Sequence, residues 1–204
     1  MVIQDDRPQH AERREQLLTV ARTIFADRGF QATTMDDIAR EAGFTKPILY
    51  QYFASKTDLY HEIVSQTAKR LLESLDAAVS SVDSPRARIE VAFRVYFEMV
   101  VRETDAFRVL FINSHEGGET ANELRNLELG LIAFVEPYID ISISDEHRHQ
   151  LAAGVVGIAE GAAAAWLVQQ AAQGWPAPSL SEAERLAARI ATLAWGGLRA
   201  VQKD

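Results

Sequence analysis

The sequence predicts an all-α protein of about nine helices, with a small N-terminal helix-turn-helix unit before a larger helical region. Apolar residues recur at helical spacing in one segment after another, and no stretch of useful length alternates as a strand does. The segment from Thr33 to Asp58 adds two short helical stretches joined through Gly43. Two short helices joined by a glycine-containing turn form the helix-turn-helix unit, whose second helix enters the major groove of DNA.

Composition limits the class of protein. The chain has 204 residues, of which 48% are hydrophobic, enough for a sizeable core. It contains no cysteine, which excludes disulfides and thiolate metal sites. The N-terminus lacks the apolar core of a signal peptide, so the cytoplasm is the expected location.

The net charge of −8 is unusual for a protein that binds DNA. Residues 1–65 carry eight Lys or Arg against ten Asp or Glu, so even this end is not basic. Phosphate contacts need local cations and helix N-termini more than a basic total. We therefore expect weak non-specific binding to DNA and a modest dependence on salt.

The first helices are predicted from periodicity and capping residues. After a loose tail at 1–8, an amphipathic helix runs from Gln9 to Arg28. Thr34 and Thr45 are placed to cap the two short helices, because a side-chain oxygen can accept from free N–H groups at a helix start. Ser55 and Asp58 form a capping pair for a long linking helix that reaches about residue 80.

The second half of the chain contains five more predicted helices. Ser84 and Pro85 mark the start of the first of them. Pro137 is unfavourable near the end of the third. The predicted ranges are 85–102, 105–113, 121–139, 145–173 and 181–201.

One face of the second short helix carries the functional prediction. Lys46, Tyr50, Gln51 and Tyr52 are expected to face outward, while Leu49 packs inward. Aromatic hydroxyls and a lysine on one short face are poor choices for a plain solvated surface. A helical hairpin in an unrelated bundle is the alternative, since two short helices and a glycine are common.

Residues 11–64 resemble the N-terminal domain of the TetR family of transcriptional regulators, through the stretch FADRGFQATTMDDIAREAGFTKPILYQYFASKTDLY. The resemblance implies a DNA-binding domain at 1–56, an effector-binding and dimerisation domain at 57–204, and an all-α homodimer. It places Lys46 and Gln51 near base edges. Pro47 departs from the small or polar residue common in the family, and Tyr52 from the common histidine. The implied phosphate contacts come from Thr34, Thr45, Tyr50, Tyr52 and Lys56.

Glycines in the last two predicted helices need a packing reason, because glycine costs about 1 kcal/mol relative to alanine in a helix interior. Close approach of helices at a subunit interface is one reason, and close packing within one chain is another. A membrane span over residues 151–168 is a third, which Glu160 and the many alanines disfavour. The family resemblance implies a four-helix interface across a two-fold axis. The predicted interface residues are Gly154, Gly157, Gly161, Trp195, Gly196 and Gly197.

The central helices are where the resemblance implies an effector pocket. Each bulky side chain there is more simply explained as core. Polar residues among them, such as Glu128 and Glu160, either orient a ligand or pair with each other. The apolar bias favours a hydrophobic effector, and TKPILYQYF and AWGGL resemble family members tied to fatty-acid metabolism, which points to an acyl-type ligand. The predicted pocket residues are Arg94, Tyr96, Phe97, Phe107, Phe111, Asn113, Leu131, Phe134 and Trp166.

No pattern in the sequence predicts an enzyme. GxGxxG, GxxxxGK[ST], HExxH and GxSxG motifs are missing, and His147 and His149 point apart on a helix. No catalytic residue, metal site or cofactor is predicted. The expected function is that of a dimeric, ligand-responsive repressor on a pseudo-palindromic operator. A helical ligand-binding protein that keeps the helix-turn-helix as scaffold is the alternative, and activation in place of repression stays open.

Overall fold

The computed structural model of the protein describes residues 7–111, 121–174 and 178–201. These residues form nine α-helices and one 3₁₀ helix, and no strand occurs among them, which confirms the all-α prediction. The helices are α1 (Arg7–Arg28), α2 (Met35–Glu41), α3 (Lys46–Tyr52), α4 (Lys56–Ser80), α5 (Pro85–Arg102), α6 (Thr104–Phe111), α7 (Ala121–Val135), α8 (Asp145–Ala172) and α9 (Leu180–Arg199), with the 3₁₀ helix Glu136–Tyr138 after α7.

Side-chain caps start several helices where the sequence predicts them. The Thr34 hydroxyl accepts from the Asp37 N–H at 3.1 Å, and the Asp37 carboxylate accepts from the Thr34 N–H at 3.1 Å. The Ser55 hydroxyl accepts from the Asp58 N–H at 3.0 Å at the start of α4. Ser84 does the same for α5. These contacts satisfy N–H groups that a helix start leaves free.

The turn between α2 and α3 has the predicted glycine geometry but a different cap. Gly43 has φ of 74°, a left-handed conformation that carries no steric penalty without a Cβ. Thr45 occupies the N-cap position of α3, but its side chain makes no capping hydrogen bond. The predicted Thr45 cap is therefore wrong in its contact, although the helix begins where expected.

Two helix boundaries differ from the prediction. Helix α7 ends at Val135, because Pro137 lacks the N–H that a longer helix needs, and the chain continues as the 3₁₀ helix. Helix α1 begins at Arg7, inside the stretch expected to be a loose tail. Residues 112–113 of the sixth predicted helix lie outside the described residues.

One hydrophobic core runs through the described chain from α1 to α9. Phe25, Leu49 and Leu59 are fully buried at its N-terminal end, and Phe97 and Leu167 at its other end. Helix α5 packs mainly on α9 and α4, and α8 packs on α7 and α9. The helix-turn-helix unit is therefore attached to the larger part by packed helices.

Polar contacts fix α6 against α1. The Thr23 hydroxyl donates to the Asp105 carboxylate at 3.0 Å, and Arg108 donates to Asp27 at 2.9 Å. Nearby, the Arg70 guanidinium of α4 donates twice to Glu103 at the end of α5, at 2.8 and 2.6 Å. These contacts join the first and fourth helices to the α5–α6 corner.

Candidate nucleic-acid interface and ligand cavity

Three side chains project from α3 into solvent. Lys46 and Gln51 are exposed, and Tyr50 is 45% exposed. The opposite side of this short helix is held by the fully buried Leu49. We call Lys46, Tyr50 and Gln51 the α3 face. The structure thus places these three predicted DNA-binding residues on the surface, where a duplex can reach them.

A shallow groove of about 410 Å³ lies beside the α3 face, between the starts of α2 and α4. Thr34, Lys46, Tyr50 and Lys56 all line it. Residues separated by up to 22 positions in the chain are therefore brought to one concave surface, wide enough to accept a phosphate group.

Lys46 is paired with an acidic neighbour. Its Nζ atom lies 2.9 Å from one carboxylate oxygen of Asp36 and 3.0 Å from the other. The hydrogen bond from Asp36 raises the pKa of Lys46, so the ammonium stays charged. Because both side chains are more than half exposed, the pair is weak and can be exchanged for a phosphate or a base edge.

Thr34 and Thr45 differ in how free their hydroxyls are. The Thr34 hydroxyl belongs to the capping box with Asp37. Hydrogen bonds from Thr34 and then Arg40 lower the pKa of Asp37 to about 2. The Thr45 hydroxyl, exposed at the start of α3, makes no capping bond. Thr45 is therefore the better placed of the two to donate to a phosphate.

Tyr52 only partly faces outward. Its ring lies 4.4 Å from the His10 ring of α1 and packs against the hydrophobic core. The prediction of a fully outward Tyr52 is wrong, because α1 crosses this end of α3. The half-buried ring leaves only part of the side chain for contact with DNA.

Lys56 serves the fold. Its ammonium donates to the backbone carbonyls of Phe30 at 2.6 Å and Thr33 at 2.8 Å, and lies 4.2 Å from the centre of the Phe30 ring. These contacts hold the α1–α2 turn against the start of α4. The implied phosphate contact from the Lys56 side chain is therefore contradicted, because its donors already point into the protein.

Glycines leave bare backbone on one side of α8. Gly154, Gly157 and Gly161 are exposed, and a Cβ built on any of them would meet nothing within 4 Å. On α9, Gly196 and Gly197 are equally open. Close packing within the chain therefore does not explain these five residues, which we call the glycine face.

Large apolar side chains accompany the glycine face on the same two helices. Val168 of α8 is 57% exposed and Leu193 of α9 is 61% exposed. Trp195 is half-buried, with the Arg199 guanidinium 5.9 Å from its ring. Exposed apolar groups beside bare backbone are typical of a surface that another protein covers.

Helix α8 is long and apolar enough to cross a membrane, judged by length and composition alone. Only 28% of its most apolar stretch is buried within the chain. Core helices of soluble proteins pass the same test. The exposed part of α8 is the side that carries the glycines, so its apolar character has a second explanation in contact with protein.

A cavity of about 60 Å³ lies between α4, α5, α7 and α8. Tyr96, Leu131 and Phe134, all predicted pocket residues, line it. The rest of the lining is apolar and comes from Leu75, Ala92, Phe93, Val135, Val155, Val156 and Ala159. The space accepts a short apolar group, so a longer ligand requires the helices to move apart.

Four other predicted pocket residues are core rather than lining. Phe97 and Phe107 lie edge-on to Tyr96, with ring centres 5.4 and 5.7 Å away. Trp166 contacts Phe97 from α8, and the half-buried Phe111 contacts Phe107. This aromatic cluster lies behind Tyr96, on the side away from the lining of the described cavity.

The two polar pocket predictions fare differently from the aromatic ones. Arg94 is exposed on α5 and does not line the described cavity, so its prediction is wrong. Asn113 lies outside the described residues. Sequence reasoning missed Val155, Val156 and Ala159, which follow the face of α8 opposite its glycines. That alternation of glycine and buried residues is the signal that could have identified them.

Ionisable groups near the cavity have shifted pKa values. Burial, followed by the charge of Glu160, raises the pKa of Tyr96 well above its ordinary value. Burial, followed by the charge of Glu128, raises the pKa of Glu160 to about 7. Among the described residues, no three His, Asp or Glu side chains are grouped so as to hold a metal ion.

Comparison with known proteins places the chain in a family. The sequence profile described as "Bacterial regulatory proteins, tetR family" matches residues 17–63. The HTH-type transcriptional activator FasR of Mycolicibacterium smegmatis is 30% identical over 161 residues, which cover 76% of this chain and 73% of FasR. The HTH-type transcriptional repressor KstR2 of the same organism is 32% identical over 127 residues, covering 58% of this chain and 62% of KstR2.

A solved structure shows the same fold. The transcriptional regulator FadR from Bacillus subtilis, in complex with stearoyl-CoA, matches with a TM-score of 0.74 over 90% of this chain and 98% of FadR, at 13% sequence identity. The family profile covers α1 to α4, which carry the α3 face, and the FasR match extends well into the larger helical part. The chain belongs to the TetR family and is a DNA-binding transcriptional regulator.

Proposed function

We propose that this regulator is a homodimeric, ligand-responsive repressor that binds a pseudo-palindromic operator. The observation that carries the proposal is the α3 face, in which Lys46, Tyr50 and Gln51 project from one short helix beside a groove of phosphate size. The five open glycines and the apolar cavity support the dimer and the effector.

Each side chain of the α3 face suits a contact with DNA. Glutamine can bond to an adenine through two hydrogen bonds in the major groove, and lysine can donate to the acceptors of a guanine. The Tyr50 hydroxyl suits a phosphate oxygen. The start of α4 offers backbone N–H groups, which take over at residue 56 because the Lys56 ammonium is engaged elsewhere.

Phosphate contacts from the threonines complete the proposed interface. Thr45 donates from the start of α3 and Thr34 from the start of α2, while Tyr52 adds its exposed edge. The acidic neighbour Asp36 limits the net positive charge of this surface. We therefore expect binding to depend on base contacts as well as charge, with a modest loss of affinity as salt rises.

The glycine face provides the dimer interface. Without Cβ atoms, the α8 helices of two chains can approach closely, and Leu193 and Val168 then become buried. A two-fold interface uses the same surface on both chains. The two copies of α3 would then face half-sites about one helical turn or a little more apart.

The cavity is the proposed effector site, and a hydrophobic or acyl-type effector suits its apolar lining. The fold match to a FadR structure holding stearoyl-CoA is compatible with such a ligand. Leu75 of α4 lines the cavity, and α4 begins at the helix-turn-helix unit. A ligand that separates the lining helices would shift α4, change the spacing of the two α3 helices and release the operator.

Repression is the proposed sign, but relatives of both signs resemble the chain: KstR2 is named a repressor and FasR an activator. We further propose the cytoplasm as the location, residues 1–56 as the DNA-binding part and residues 57–204 as the effector and dimer part. No catalytic role is part of the proposal.

A fluorescence-anisotropy titration with fragments of the host genome tests the function at moderate salt. The wild-type chain should prefer one fragment over competitor DNA, and Tyr50→Ala should weaken that binding without lowering thermal stability. Tyr138→Ala, which removes a tyrosine far from the α3 face, provides the control. Equal binding to every fragment would favour the alternative of a ligand-binding protein that keeps the helix-turn-helix as scaffold.

A further inference from the structure

The lining of the cavity contains one polar atom. Tyr96 is 4% exposed, and its hydroxyl oxygen has no hydrogen-bond partner among the described residues. The other lining residues are alanine, valine, leucine and phenylalanine. A buried hydroxyl without a partner is unfavourable, and such groups in folded proteins call for an explanation. A ligand that supplies the partner is one.

The Tyr96 ring is held in place, so its hydroxyl has a fixed position. Phe97 and Phe107 contact the ring edge-on at 5.4 and 5.7 Å between ring centres. Burial also raises the pKa of Tyr96, which keeps the hydroxyl protonated near neutral pH. The group is therefore a positioned hydrogen-bond donor that needs an acceptor.

The charges near Tyr96 restrict which acceptor can approach. Glu160 of α8 is close enough for its charge to raise the pKa of Tyr96, and Glu128 of α7 acts in turn on Glu160. An anionic group in the cavity would lose its hydration in an apolar space and would be repelled by these carboxylates. A neutral acceptor avoids both costs.

We propose that Tyr96 makes the cavity selective for an apolar ligand whose buried end carries a neutral carbonyl oxygen, as in a ketone, an ester or a thioester. The hydroxyl donates to that oxygen, and a free carboxylate is rejected. This inference rests on the proposed function of the cavity as the effector site. It adds the chemical class of the group that the site recognises.

Binding of three small matched probes to the full-length chain tests the proposal, followed by methyl NMR at pH 8. 2-Butanone carries the neutral acceptor, 2-methyl-1-butene replaces the carbonyl oxygen by CH₂, and butanoate carries the anion. Tyr96→Phe removes only the hydroxyl. Tyr60→Phe removes a hydroxyl that is equally buried but lies in the N-terminal core, and it is the control.

The wild-type chain should bind 2-butanone about tenfold more tightly than the alkene, the effect of one hydrogen bond, and butanoate more weakly than either. Tyr96→Phe should lose that preference and keep its affinity for the alkene, while Tyr60→Phe should behave as wild type. Shifts should be centred on the methyl groups of Leu131 and Val156, which line the cavity.

Three results overturn the proposal: equal affinity for ketone and alkene, an unchanged ketone preference in Tyr96→Phe, or no binding of any probe. Operator affinity of wild type and Tyr96→Phe, measured in parallel, separates this outcome from failure of the regulator itself. Intact operator binding with no ketone preference would remove the role of Tyr96 and leave the DNA-binding function standing. Loss of operator binding in the wild-type chain would instead contradict the proposed function.

Discussion

The α3 face and the glycine face are both exposed, but they are built by opposite means. The α3 face presents long polar side chains, among them Lys46 and Gln51, on a helix held by the buried Leu49. The glycine face presents backbone, with Gly157 and its neighbours leaving open space where side chains would be. Polar side chains can distinguish one base edge from another, whereas bare backbone flanked by apolar residues can only be matched by another packed surface.

This contrast indicates different partners for the two surfaces. A polar face remains soluble when its partner is away, because water satisfies its hydrogen bonds. An apolar face with open glycines is stable only when it is covered permanently. We therefore expect the glycine face to be occupied in the free protein and the α3 face to be occupied only on DNA.

Gly157→Arg gives the largest expected effect and tests the glycine face. The open space at Gly157 lets a single chain accept the side chain, and loss of glycine from the helix interior favours α8. Two buried arginines would face each other across the two-fold axis, so the dimer should dissociate at micromolar concentration. Light scattering on a size-exclusion column measures this.

Operator affinity should fall with the dimer, by about a hundredfold or more, because one chain reaches only one half-site. Ala77→Arg places the same charge on an exposed position of α4 and should leave the mass of the dimer unchanged. A Gly157→Arg protein that remains a dimer would show that the glycine face is not the interface.

Gln51→Ala tests the α3 face. Loss of a base contact should weaken operator binding by about 10- to 100-fold and relax the preference for one base pair, with no change in the dimer. Anisotropy titrations against operator variants measure both effects. Gln150→Ala removes an exposed glutamine at the start of α8 and should bind as wild type does. An unchanged preference in Gln51→Ala would move the recognition surface elsewhere.

Lys56→Met separates a structural role from a DNA contact at the edge of the α3 face. Removing the ammonium leaves the Phe30 and Thr33 carbonyls without a charged donor, so urea unfolding should show a loss of about 2 kcal/mol. Lys69→Met, at an exposed position of α4, should cost little. Unchanged stability with weakened operator binding would restore the phosphate contact.

Glu160→Gln gives the smallest expected effect and tests the side of α8 that faces the cavity. The pKa of Glu160 is raised to about 7, above its ordinary 4.5, so its favourable contribution is full below about pH 4.5 and is lost as pH rises through 7. Glutamine does not ionise, so the variant should be more stable than wild type by about 1 kcal/mol at pH 8, a value reduced for partial exposure.

Urea unfolding at pH 5 and pH 8 measures this difference, which should nearly vanish at pH 5. Glu184→Gln, at an exposed position of α9, should show no such trend. A Glu160→Gln variant with the same stability difference at both pH values would mean that the carboxyl titrates normally.

Local spacing made the helix-turn-helix predictable. Thr34 with Asp37 and Ser55 with Asp58 are three residues apart, so their caps follow from the sequence alone. The role of Lys56 could not be foreseen, because its carbonyl partners lie 23 and 26 residues away in the chain. Long-range contacts of this kind depend on how α1 and α4 pack.

The cavity was less predictable than the α3 face. Tyr96 and Phe97 are adjacent in α5, yet one lines the cavity and the other lies in the aromatic cluster. Helical spacing shows that both turn inward but does not show which neighbour each one meets. The glycines were found from the sequence, whereas their openness in the single chain required the structure.

Hydroxyl-radical footprinting of the wild-type chain on its preferred genomic fragment tests the central claim most directly. Two α3 helices on one dimer should protect two major-groove half-sites on one side of the duplex, about one helical turn or a little more apart. In Gln51→Ala both protections should weaken together at equal protein concentration. Uniform protection along the fragment, or a single protected patch unaffected by Gln51→Ala, would contradict sequence recognition by the α3 face.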